Sequence, residues 1–131
     1  YIPDLVFHLL SSFKLYSHPI QLKTNIDPIS LEVGTAISYG LIINELVSNA
    51  LKYAFLPNQP GEVAIELRAA PDRILKLVVR DNGQGLPAGF NLESTQSLGL
   101  TLVQGLVDQL NGTIEVTSHE GTQFKISFPL P

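Results

Sequence analysis

The chain has 131 residues, 44% of them hydrophobic, with 8 basic and 12 acidic side chains and a net charge of -4. That size and apolar content suit one domain spanning residues 1–131 with its own core, and the acidic balance gives no electrostatic footprint for nucleic acid or for direct contact with an anionic membrane. With no cysteine present, disulfides and thiolate metal sites are excluded, and a reducing, cytoplasmic setting is expected.

From Tyr1 to Tyr16, the residues Ile2, Leu5, Val6, Leu9, Leu10 and Phe13 recur at three- and four-residue spacings, which predicts an amphipathic helix. Ile20, Leu22, Thr24 and Ile26 then alternate with polar residues as a half-wet strand does, and the chain turns at Asp27-Pro28. Gly34 to Phe55 reads as a long helix ended by Pro57 and the Pro60-Gly61 pair. Its apolar run from Ala36 to Val47 is interrupted by Asn44 and Glu45 and is too short to cross a bilayer.

Two strands follow, with Val63, Ile65 and Leu67 on one face of the first and Leu75, Leu77 and Val79 on one face of the second. A loose stretch from Asn82 to Gln96 leads to a helix from about Leu98 to Leu110, closed by Asn111-Gly112 as a left-handed cap. Ile114 and Val116 mark a further strand, and Phe124, Ile126 and Phe128 the last. This order predicts an α/β fold: a two-layer sandwich with a mixed sheet and helices on one face. The chain begins at Tyr1, contains no methionine and shows no signal-peptide pattern, so it reads as an excerpt of a longer polypeptide.

Four segments carry residues suited to chemistry. On the long helix Glu45, Asn49 and Lys52 are spaced i, i+4, i+7 and share one stripe. A carboxylate and an amide oxygen one turn apart can hold a hard cation or its waters, and a lysine can meet phosphate oxygens; an ordinary wet helix face has the same look. Asp81 ends a strand and continues the inward parity of Leu75, Leu77 and Val79. A carboxylate turned inward needs a donor, such as the amino group of an adenine, and Gly83 and Gly85 allow a flat ligand close to the backbone; Asp-Asn-Gly is also plain turn chemistry.

Ser97-Leu98-Gly99-Leu100 opens a helix whose free amides could receive phosphate, or is simply an N-cap. Thr122 opens the last strand, where its hydroxyl could join a water-mediated grip on a base, or serve only a hairpin. His8, His18 and His119 lack metal spacing, no serine has a readable catalytic partner, and the P-loop pattern is absent.

In this order the four segments resemble the GHKL family of ATPases and kinases, which includes gyrase-type topoisomerases and the histidine kinases. Ile43-Asn44-Glu45-Leu46-Val47-Ser48-Asn49-Ala50-Leu51-Lys52-Tyr53 looks like its N box, Asp81-Asn82-Gly83-Gln84-Gly85 its first glycine box, Ser97-Leu98-Gly99-Leu100 its second, and Gly121-Thr122-Gln123-Phe124 its closing threonine motif. Leu110-Asn111-Gly112-Thr113-Ile114 and the ending Phe128-Pro129-Leu130-Pro131 resemble histidine kinases in particular, and the N box is most like the subgroup related to the HWE kinases.

The resemblance implies the ATP-binding Bergerat fold and a sensor-kinase catalytic domain with ATP and Mg2+ as cofactors. Asn49 would ligate Mg, Glu45 would polarise the attacking group, and Lys52 would approach phosphate. Asp81 would bind the adenine amino group, supported by Thr122, with Gly83, Gly85, Leu98, Gly99 and Leu100 shaping the rest of the site. Ser97 departs from the glycine common at its position, and the lid from Leu86 to Gln96 has no lysine or arginine.

The implied partners are a helical domain of the same protein bearing the acceptor histidine, upstream of Tyr1, and a downstream response regulator. The isolated chain is expected to be monomeric and the full protein dimeric. His8 lies in an apolar setting unlike that of an acceptor. Two other readings stay open: a serine kinase of the anti-sigma type in the same superfamily, and a degenerate domain that binds a partner but no nucleotide.

Overall fold

The structure is a computed structural model that describes residues 20–27, 29, 31–54, 60–86, 90 and 97–130. The helix expected over Tyr1 to Tyr16 and most of the lid lie outside them. Five strands, β1 (Ile20–Ile26), β2 (Gly61–Ala70), β3 (Ile74–Asp81), β4 (Thr113–Ser118) and β5 (Thr122–Pro129), form one sheet in the order β1-β2-β3-β5-β4. β1 and β2 run parallel, joined across helix α1 (Val33–Asn49); every other pairing is antiparallel. Helix α2 (Leu98–Gln109) packs beside α1.

Period-two patterning sets the sheet's inner face, and register carries it across strands. Ile65, Val79 and Phe124 form one row, Leu67, Leu77 and Ile126 the next, and Ala69, Leu75 and Phe128 the third. Onto these rows α1 sets Ala36, Tyr39, Ile42, Ile43, Leu46 and Val47, and α2 sets Leu100, Val103 and Val107. Full burial of each large side chain contributes about 1.5–3 kcal/mol. The buried face of α1 combines the small residues Ala36 and Gly40 with the larger Tyr39, Ile42 and Leu46.

Charge is divided between the two layers. α1 and α2 hold only Glu45 and Asp108 as charged residues, whereas the strands hold Lys23, Glu62, Glu66, Arg68, Lys76, Arg80, Asp81, Glu115 and Lys125. Two of the strand pairs are bridged, Lys23 to Glu62 at 2.8 Å and Arg80 to Glu66 at 3.5 Å. No helix among the described residues is long and apolar enough to cross a membrane.

Two helix ends depart from simple α-helical termination. α1 stops being α-helical at Asn49 and continues as a wider π-helical turn, Ala50–Ala54, where the sequence predicted unbroken α-helix. α2 closes in a Schellman motif: Gly112 N–H donates to Val107 O at 2.9 Å and Asn111 N–H to Asp108 O at 3.0 Å. The left-handed residue there is Asn111, with φ 58°. Gly112 has a different task, since a Cβ on it would stand 2.8 Å from both Phe128 Cδ1 and Ser127 O.

Candidate functional site

A cavity of about 760 Å³ opens where the inner sheet face runs out between α1 and the start of α2. Glu45, Leu46, Asn49, Ala50 and Lys52 form one wall, and Val79, Asp81, Thr122 and Phe124 form the floor. The loop after β3 adds Gln84, Gly85, Leu86 and Phe90, and the start of α2 adds Ser97, Leu98, Gly99 and Leu100. Apolar side walls with a few converging polar groups are the usual make-up of a small-ligand site.

At the floor, the apolar cross-strand rows give way to Val63, Asp81, Thr122 and Ser118, paired in register. Asp81 Oδ1 accepts the N–H of Gly83 at 2.9 Å and of Thr122 at 3.3 Å, while Oδ2 has no hydrogen bond among the described residues. Burial pushes the Asp81 carboxyl above the usual aspartate range, against the lowering effect of those two amides. Gly121 makes the fit possible: its φ is 126°, and a Cβ there would collide with the Asp81 carbonyl oxygen.

Opposite this floor, Glu45 and Asn49 are half-buried and Lys52 is exposed. The widened turn after Asn49 alters the helical phase, and Lys52 still lines the cavity. Glu45 faces the first turn of α2 so closely that a Cβ on Gly99 would come within 2.6 Å of Oε2. Ser97 is the N-cap of α2, its Oγ accepting the Leu100 N–H at 3.3 Å. The N–H groups of Leu98 and Gly99 keep no partner among the described residues, as a first turn dictates.

The residues singled out in the sequence thus meet in one place. Glu45, Asn49, Lys52, Asp81, Gly85, Leu98, Gly99, Leu100 and Thr122 all line the cavity. Gly83 does not line it and acts one step back, through the amide that holds Asp81. Leu100 contributes a buried side chain, its amide being spent on the cap. The sequence reading missed the walls Leu46, Val79, Phe90 and Phe124, although strand parity marks Val79 and Phe124 as inward. It also missed Asn82, whose N–H donates to Glu62 O at 3.2 Å and whose Oδ1 accepts the Glu62 N–H at 2.8 Å, extending the β2–β3 pairing by one residue.

Residues 34–131 match the family described as histidine kinase-, DNA gyrase B-, and HSP90-like ATPase. The chain belongs to this family. Among curated relatives, the sensor histidine kinase PdtaS of Mycobacterium tuberculosis is 33% identical over 97% of this chain and 26% of its own length. Blue-light-activated histidine kinase 2 of Erythrobacter litoralis is 30% identical over 85% of this chain and 32% of its own length. The chain therefore spans about a quarter to a third of these relatives.

The solved histidine kinase domain of Erythrobacter litoralis EL346 superposes with a TM-score of 0.87 at 27% identity, covering 99% of this chain and 59% of that one. The histidine kinase AdeS of Acinetobacter baumannii, at 19% identity and a TM-score of 0.80 over 98% of this chain and 64% of its own, shares the fold. The five-stranded mixed sheet with helices on one face is that of histidine kinase ATPase domains. ATP is the ligand of this family, and the cavity fits it on its own terms. A half-buried carboxylate oxygen with no donor among the described residues suits an exocyclic amine, apolar walls suit a flat ring, and two helix N-terminal amides with no partner among those residues suit phosphate.

Proposed function

We propose that this chain binds Mg-ATP in the cavity and presents the γ-phosphoryl group to a histidine on a separate helical domain, as the catalytic unit of a two-component sensor kinase. The observation that carries the reading is Asp81. One of its oxygens is fixed by two backbone amides and the other has no donor among the described residues, so the carboxylate is an aimed acceptor, further stabilised when a donor arrives. An adenine amino group is such a donor, and Thr122 and Gly83 hold the acceptor still.

At the far end, the amide oxygen of Asn49 would hold Mg, which keeps several waters and takes the remaining ligands from phosphate. Lys52 and the amides of Leu98 and Gly99 would offset the phosphate charge. Glu45 would polarise the attacking imidazole and receive the proton of its N–H nitrogen while the other ring nitrogen, through its lone pair, bonds to phosphorus, the bond to the β-phosphate oxygen breaks and ADP leaves. Leu98 and Leu102 stand 86% and 42% exposed on α2 beside this end, an apolar seat for the acceptor's helix. The phosphoryl group would then pass to a response regulator, and the full protein would dimerise through the helical domain.

Calorimetric titration with a non-hydrolysable ATP analogue tests the reading. Binding should depend on Mg and fall at least about ten-fold in Asp81→Asn, where an amide N–H₂ faces the adenine donor. A folded wild-type chain that takes up no nucleotide would refute the proposal.

A further inference from the structure

Beyond the residues that would touch nucleotide lies Ser118, the last residue of β4 and the outer member of the row Asp81, Thr122, Ser118. Its hydroxyl is not a wall of the cavity. Ser118 Oγ accepts the N–H of Leu86 at 3.0 Å across 32 residues of sequence. The backbone at Gly85 lies against the same hydroxyl, since a Cβ built there would approach Ser118 Oγ to 2.6 Å and Gly121 O to 3.5 Å, with φ at 78°. The turn that follows is held closed by His119 N–H donating to Gly121 O at 3.0 Å.

These contacts give the β4–β5 hairpin two holds on the loop after β3. At Asp81, Gly121 and the Thr122 amide fix the base acceptor. Five residues later, Ser118 fixes Gly85 and Leu86, both of which line the cavity. We propose that Ser118 is a positioning residue for the nucleotide base: it fixes the backbone amide of Leu86, so that Leu86 stands against the ring at a set distance from Asp81. The proposal rests on the nucleotide reading above and adds to it a residue that never touches the ligand. Preorganising a loop lowers the ordering cost charged against binding, so deleting its anchor weakens affinity without removing a ligand contact.

The test is titration of wild type, Ser118→Ala and Ser118→Thr with ADP and with the non-hydrolysable ATP analogue, both with Mg, alongside melting temperatures. Ser118→Ala should weaken both nucleotides by the same factor, about three- to ten-fold, as one lost hydrogen bond requires. Ser118→Thr keeps the acceptor and should remain within about two-fold of wild type. Because the bond is exposed, the melting temperature of Ser118→Ala should stay within about 2 °C of wild type. Unchanged affinity in Ser118→Ala, or a loss larger for the triphosphate than for ADP, would overturn the assignment. Absent binding by wild type would instead remove the nucleotide reading, and this proposal with it.

Discussion

Tyr39 and Asp81 each hold an ionisable group in low-dielectric surroundings, with opposite consequences. Tyr39 is 1% exposed and stacks on Phe128 with ring centroids 4.5 Å apart, and its hydroxyl has no hydrogen bond among the described residues. Burial pushes its pKa up from 10.0 to about 12. Below pH 10 both folded and unfolded chains carry the neutral phenol. Above it only the unfolded chain ionises, so stability should fall by about 2–3 kcal/mol as pH rises to 12. Tyr39→Phe should abolish that component in urea titrations at successive pH values while leaving stability at pH 7 equal or higher. For Asp81 the raised pKa means that folding is opposed by a charged carboxylate at neutral pH, and the opposition eases as pH falls through the folded value toward the unfolded one. The Asp81→Asn variant should therefore melt higher than wild type even as it loses nucleotide, and a lower melting temperature would show that the two amide bonds outweigh burial.

Among the elements, helix ends proved harder to foresee than helices or strands. Alternation of Leu75, Leu77 and Val79 against Lys76, Val78 and Arg80 predicts β3 because one residue in two must face the core, and the same parity placed Asp81 inward. The π-helical turn after Asn49 left no such mark, because wider winding changes one hydrogen-bond spacing without changing which residue types are tolerated. The site shows the same division. Glu45, Asn49 and Asp81 are legible as charges and amides in an apolar context, whereas Ser118 and Asn82 act through contacts 32 and 20 residues away that only the sheet register creates. Gly112 was legible as a cap but not as a spacer. Gly112→Ala should cost about 1–3 kcal/mol in urea denaturation by pressing a methyl group into Phe128. Nucleotide affinity should survive, because the cavity lies at the opposite end of α2.

At the scale of the whole molecule, the proposed function puts donor site and acceptor in different bodies. Of the three histidines, His8 and His18 lie outside the described residues, and His119 sits exposed on the β4–β5 turn, lining a smaller cleft with Glu62 and Arg80 rather than the main cavity. Incubated with γ-labelled ATP and Mg, the chain should stay unlabelled, and adding the helical domain that bears the acceptor histidine should place the label there. Stoichiometric label on any histidine of this chain would contradict the division.

The partition of charge between the layers bears on water. Hydrated ions bind their water shells tightly and apolar groups do not, so the ionic back of the sheet stays wetted while the helix side gives up its water at little expense. A body docking on the helix side, where the cavity opens, would therefore displace fewer hydrated charges among the described residues than one docking on the back of the sheet. Contact made there owes little to Coulomb attraction, and added salt, which screens exposed charges within about 8–10 Å, should leave its strength nearly unaltered.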